Sequence, residues 1–203
     1  QFEGGWRQNQ SDGIHGEGEK MIRTIVKYGH PVLRQKGREV SEITPEVRKL
    51  AEDMLETMVA AEGVGLAAQQ VGVALQMAVV DVAGVDDRPS TMQVDGREVS
   101  VAENMPLVLI NPVLELSQDR VVGVEGCLSF PRLTADIVRS AKVRCQATGL
   151  DGQRLDFTST GLLARALQHE VDHLNGVLFI DRCSAATKAA MSGKLKRLKR
   201  EVG

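Results

Sequence analysis

Residues 168–181 read Gln168-His169-Glu170-Val171-Asp172-His173-Leu174-Asn175-Gly176-Val177-Leu178-Phe179-Ile180-Asp181. His169 and His173 stand at i and i+4, so on a helix they share one face, a turn apart, and both imidazoles reach one ion. Glu170 projects beside that ion without binding it, placed to take a proton from a bound water. The chain has only four histidines, so an ordinary helical surface is the weaker reading. The spacing predicts a helix that begins after Thr158-Ser159-Thr160 and ends at Gly176. Leu162 and Ala166 lie at i−7 and i−3 from His169 and line its stripe as candidates for an apolar pocket. Leu163, Leu167, Val171 and Leu174 form the neighbouring stripe and are expected in the core.

A catalytic zinc-like site takes three protein ligands and leaves one position open. In one class of zinc protease the third comes from HExxHxxGxxH. Here Gly176 is in place, but Phe179 fills the slot of the third histidine and cannot ligate. His15 and His30 are far upstream. Asp181 and Glu201 offer carboxylates, and Cys127 offers a thiolate, a strong ligand for borderline divalent ions. Cys127 is the preferred candidate. Cys145 lies in an alternating run and Cys183 near a helix start, and both read as structural.

Working outward, residues 1–20 hold no apolar periodicity and read as a native tail or a cloning remnant. A catalytic domain is expected over 21–186 and a basic helix over 187–203. Thr44-Pro45-Glu46 reads as a helix start, with Val47, Leu50, Met54 and Met58 at helical spacing and Gly63 at the end. MAVVDV (77–82) reads as a buried strand, and LVLINP (107–112) as a strand stopped by Pro112. Short strands are predicted near 113–117, 120–124, 142–148 and 153–158, and a third helix over 184–201. Residues 83–105 read as a surface loop or hairpin, an insertion taken as decoration. The fold class is α+β: short, mostly antiparallel strands packed around a central metal-binding helix.

The chain has 203 residues, 42% hydrophobic and 26% charged, ordinary values for a globular domain. Disordered, collagen-like and coiled-coil readings are excluded. No apolar run approaches the roughly 18 residues of a membrane helix. Net charge is −2 and aromatics are 3%, so neither DNA binding by the whole surface nor base stacking is expected. Three dispersed cysteines do not make a disulfide framework and fit a reducing compartment. The start carries no signal-peptide pattern, and its four acids do not suit a transit peptide.

Two further motifs join the metal helix: Gly63-Val64-Gly65-Leu66-Ala67-Ala68-Gln69-Gln70 and Glu125-Gly126-Cys127-Leu128-Ser129. With His169–His173 they resemble, in order and separation, the GxGxAAxQ, EGCxS and HExDH motifs of the peptide deformylases. The resemblance covers roughly residues 21–185 and extends to the QHEVDHLNGVLFID run. It implies a bacterial-type cytoplasmic enzyme that hydrolyses the N-formyl group from formyl-methionyl nascent peptides and releases formate. Cys127, His169 and His173 would hold one divalent metal per chain, natively Fe²⁺, with Zn²⁺, Ni²⁺ or Co²⁺ as substitutes. Metal-bound water would attack the formyl carbon, with Glu170 as general acid and base. The Gln70 amide and the Leu128 backbone N–H would stabilise the oxyanion.

Gly63, Gly65 and Gly126 permit close backbone approach, so an extended peptide could add along that edge. Val64, Leu162 and Ala166 are the expected pocket for its first side chain. Glu125 reads equally as a partner that orients a ligand or as a turn residue. Many bacterial members carry an arginine that contacts substrate backbone where this chain has Thr134, with Arg132 two residues earlier. Lys194-Leu195-Lys196-Arg197-Leu198-Lys199-Arg200 reads as a solvated helix face, or as a transient contact with ribosomal RNA. The competing functions are an HExxH metallo-endopeptidase and a metal-stabilised binding module. Phe179 and the EGCLS cysteine argue against the first, and the lack of a fourth protein ligand argues against the second.

Overall fold

A computed structural model describes residues 21–202, so the expectation for 1–20 lies outside the described residues. Among these residues it has nine strands and three α-helices. The first helix, α1 (Pro45–Ala60), starts as its sequence dictates: Thr44 Oγ1 accepts the Val47 N–H at 3.4 Å, and Pro45 occupies the first turn. Strands β1 (Gly65–Ala67), β2 (Met77–Val80), β3 (Ser90–Val94), β4 (Arg97–Val99), β5 (Leu107–Leu116), β6 (Arg120–Gly126), β7 (Thr134–Ser140), β8 (Lys142–Thr148) and β9 (Arg154–Thr160) follow. Then come α2 (Gly161–Leu174) and α3 (Ala185–Val202). Seven strands make one antiparallel sheet in the order β1-β2-β5-β8-β9-β3-β4, and β6 and β7 pair separately.

The large sheet is covered on both faces, which is why β2 and the start of β5 read as unbroken apolar runs. Met77, Val79, Val108 and Ile110 pack with Leu50, Met54 and Met58 of α1. Val80, Leu107 and Leu109 pack with Leu162, Leu163 and Leu167 of α2. The metal helix of the sequence is therefore central. Leu163, Leu167 and Leu174 are fully buried, as expected, while Val171 is only half-buried.

Three features depart from the sequence reading. Pro112 does not stop its strand: β5 runs on to Leu116 through a register shift between Ile110 and Val113. Asn111 takes φ 50° there. Its side chain accepts from Val40 N at 2.9 Å and donates to Val40 O at 2.8 Å, so the bulge is held while the proline needs no ladder bond. Strands β1 and β7 were not anticipated. Residues 90–99 form a hairpin turned by Asp95 (φ 50°) and Gly96 (φ 75°). Its strand β3 pairs with β9 and buries Met92 completely, so this segment is part of the sheet and core.

Candidate active site

The end of β6 and one face of α2 bring three donors together. Cys127 follows Gly126, the last residue of β6, and His169 and His173 stand a turn apart on α2. Their ligand atoms lie within 4.8 Å of one another, and the group could hold a metal ion. Cys127 Sγ is 3.3 Å from His173 Nε2. His169 turns its Nδ1 to Glu125 Oε2 at 3.0 Å, which leaves Nε2 for the centre.

Glu125 is the hub behind the group. Arg139 grips both its oxygens, at 2.8 and 3.0 Å, and Arg165 Nη1 adds 2.8 Å. Burial works against the charge on Glu125, but the Arg139 and His169 contacts outweigh it and hold the carboxyl well below its usual range. Arg139 continues to Asp172 at 2.6 Å, and Asp172 takes Arg182 on its other side. Sequence reasoning missed this chain of Arg139, Arg165, Asp172 and Arg182. An inward arginine in the alternating pattern of β7 was its one signal.

Glu170 is buried beside the donors, and burial pushes its carboxyl up to about 7. Among the described residues its Oε2 and His173 Nδ1 have no hydrogen-bond partner. A Cβ at position 65 would lie 2.3 Å from Glu170 Oε1, so only glycine lets that carboxylate rest against β1. Gln70 is aimed by its neighbours. Its Oε1 accepts the Ala67 N–H at 2.9 Å, and its Nε2 faces Ser129 Oγ at 3.2 Å and Cys127 Sγ at 3.5 Å. Gln69 points elsewhere, with its Nε2 donating to the Leu174 carbonyl at 3.3 Å.

A cavity of about 500 Å³ opens on this group. Gly63, Val64, Gly65, Gln70, Gly126, Cys127, Leu128, Leu162, Ala166, His169 and Glu170 all line it. His173 is fully buried behind them. Arg132 (φ 60°) and Thr134 also face the cavity, with Lys27, Glu62, Arg88 and Arg165, which the sequence reading did not single out. Phe179 packs edge-on to Phe130, with centroids 5.0 Å apart, and its ring stands 6.4 Å from that of His169, an apolar wall in the slot of a third histidine. Cys145 and Cys183 are buried away from the group. The Cys145 thiol is pushed up to about 12 by burial and by Asp156.

Fold and site together define a hydrolase of the metal-dependent amide-cleaving class: a half-buried cysteine and two buried imidazoles beside a buried carboxyl group, at the floor of an open cleft. A family model described as polypeptide deformylase matches residues 22–189. The peptide deformylase of Methylacidiphilum infernorum is 46% identical over 89% of this chain and 94% of its own length. That of Opitutus terrae is 42% identical over 88% and 93%. Among solved structures, the peptide deformylase from Ehrlichia chaffeensis in complex with actinonin superposes with a TM-score of 0.77 at 34% identity, covering 89% of this chain and 98% of that one. The enzyme from Thermus thermophilus gives 0.76 at 35%, covering 90% and 100%. The chain belongs to the peptide deformylase family, metal-dependent hydrolases that remove N-formyl groups from nascent peptides. The endopeptidase reading finds no support. No helix among the described residues is long and apolar enough to cross a membrane.

Proposed function

We propose that Cys127, His169 and His173 hold the catalytic ion, natively Fe²⁺, and that Glu170 is the general acid and base. The observation that carries this reading is the donor trio within 4.8 Å, next to a buried carboxylate with an unpartnered oxygen. The donor set fits: a thiolate and two neutral imidazoles suit a first-row divalent ion. When bound, such an ion polarises the substrate carbonyl and lowers the pKa of a water.

The chain's own residues do the rest. Glu170 takes the water's proton as the new C–O bond forms at the formyl carbon. It then passes that proton to the nitrogen as the C–N bond breaks, giving formate and a free amine. Gln70 Nε2 and the Leu128 N–H donate to the oxyanion, and one such donor contributes about 3 kcal/mol. Gln70 suits this role because an amide donates without titrating, and the Ala67 N–H bond keeps its donor end toward the site. Val64, Leu162 and Ala166 take the methionine side chain, while the backbone at Gly63, Gly65 and Gly126 receives the peptide.

A transient ribosome contact through α3, in a bacterial-type cytoplasm, completes the reading. Leu198 is buried, and Met191 and Leu195 are half-buried against the core. Lys194, Lys196, Arg197, Lys199 and Arg200 are exposed. Co-sedimentation with ribosomes should weaken steeply between about 50 and 200 mM salt. A salt-insensitive association, or none, would remove this contact.

The deciding experiment is formate release from a short formyl-Met peptide by anaerobically prepared Fe²⁺ protein, beside Glu170→Ala with its metal content measured. Release that disappears in a variant still holding one ion supports the assignment. Release that survives in that variant would take the base role from Glu170.

A further inference from the structure

Cys127 and the two histidines come from elements that no β-ladder joins. The β6–β7 pair carries Cys127 at its end and forms a ladder of its own, separate from the seven-stranded sheet. The histidines belong to α2, which packs under that larger sheet. Arg139 on Asp172 and the paired bonds of Gln168 with Ser140 tie the small sheet to the helix at the end away from Cys127, and the rest of the pair must be held within the few tenths of an ångström that a metal centre tolerates.

Arg165 lies on α2 one turn before His169, and its side chain is only 8% exposed. Its Nη2 donates to the Val121 carbonyl at 3.1 Å. Its Nη1 reaches the carbonyls of Gly123 and Ile137 at 3.3 and 2.9 Å, and Glu125 Oε1 at 2.8 Å. Gly123 and Ile137 are register partners across β6 and β7, so the guanidinium lies against the face of the small sheet and bonds both strands at once. This needs a bare backbone. A Cβ at Gly123 would stand 2.8 Å from Arg165 Nη2 and 3.0 Å from Cζ. A planar, permanently charged fork meets three carbonyls and a carboxylate in a way an ammonium does not.

We propose that Arg165, seated on Gly123, is a positioning residue that locks β6–β7 onto α2 and so sets where Cys127 Sγ stands relative to His169 and His173. The proposal rests on the reading above, that these three hold the ion. It concerns retention and geometry of the metal rather than contact with substrate. Loss of the lock lets the thiolate drift from the imidazoles, and the ion escapes faster.

The test uses Co²⁺-loaded full-length protein: wild type, Arg165→Met, Arg165→Lys and Gly123→Ala. The readouts are the thiolate-to-cobalt charge-transfer band, the rate of Co²⁺ loss to a chelator, and kcat and KM for a formyl-Met peptide. Arg165→Met and Gly123→Ala should lose Co²⁺ about 10- to 100-fold faster than wild type, the range for residues that support metal ligands. Their band should weaken or shift, kcat should fall and KM should stay put, and Arg165→Lys should restore part of the retention. Gly123→Ala keeps every charge, so it carries the test if Arg165→Met does not fold. Unchanged retention and band in these variants would overturn the proposal. So would a rise in KM alone, which would make Arg165 a wall of the substrate pocket. A wild-type Co²⁺ protein with no thiolate band would sink the Cys127 assignment itself.

Discussion

Glu170 and Gln70 line the same cavity, yet they should fail differently when replaced. On the proposed role, Glu170→Gln removes proton transfer while keeping the shape, so formate release should fall about 10²- to 10⁴-fold with the ion still bound. Metal analysis beside the kinetics checks this. Gln70→Ala removes one of the two proposed oxyanion donors and should lower kcat about 10²-fold. Its neighbour is a control within the same motif. Gln69 bonds the carbonyl that ends α2, so Gln69→Ala should cost about 1–3 kcal/mol in denaturant unfolding. The kcat of the folded fraction should stay near wild type. Two adjacent glutamines, alike in sequence, part company because one side chain is turned into the cavity and the other into the helix end.

Among the elements, the hairpin over residues 90–99 is the clearest test of what the larger sheet requires. If it were ornament, its side chains would be dispensable. Met92 is fully buried with Phe157, Leu155 and Leu163, so Met92→Ala should cost about 2–5 kcal/mol, read from the shift in unfolding midpoint at constant m-value. The same hairpin shows what the sequence made legible. Asp95-Gly96 between short β-prone runs is a two-residue hairpin turn in its own chemistry, while α1 and α2 were readable from capping and spacing and α3 from its Ala- and Lys-rich composition. Cys127, His169 and His173 were readable because few residue types ligate and two of them shared a helical face. Three things were not readable. The bulge at Asn111 depends on a distant partner, Val40. Strand β1 is three residues long. The alternation of β7 is masked because one of its inward positions is Arg139, which reads as polar until Glu125 and Asp172 are placed around it. Arg165 was hidden for the same reason: its meaning lies in carbonyls that only folding brings near.

At the scale of the whole molecule, the segment before the first turn behaves as a strap. Met21 N and Arg23 reach Asp53 of α1, Val26 N donates to Gln70 O, and Tyr28 N donates to Ser129 O. One extended stretch thus ties α1 to the Gln70 turn and to the Cys127 turn. Asp53 anchors its start with its side chain 0% exposed. Burial alone would raise that carboxyl, but Lys49 and Arg23 outweigh it and bring it below the usual value. A depressed carboxylate contributes stability above its unfolded pKa, and that contribution is lost as pH falls through the folded one. Asp53→Asn should therefore be less stable than wild type at neutral pH. The gap should close as pH drops below the ordinary carboxylate range, as followed by urea midpoints across a pH series. The proposed metal centre draws on the same architecture, because its donors stand at the end of β6 and on α2 and would bind an ion together only when both are in place. An ion at a hundredfold excess over its Kd adds about 2.7 kcal/mol to such a fold. Stripping it with a chelator should lower Tm by about 5–10 °C for a domain of this size. A Tm unmoved by metal removal, in a chain shown to have bound one ion, would mean that the ion binds the folded chain no better than the unfolded one, against a centre that needs both elements in place.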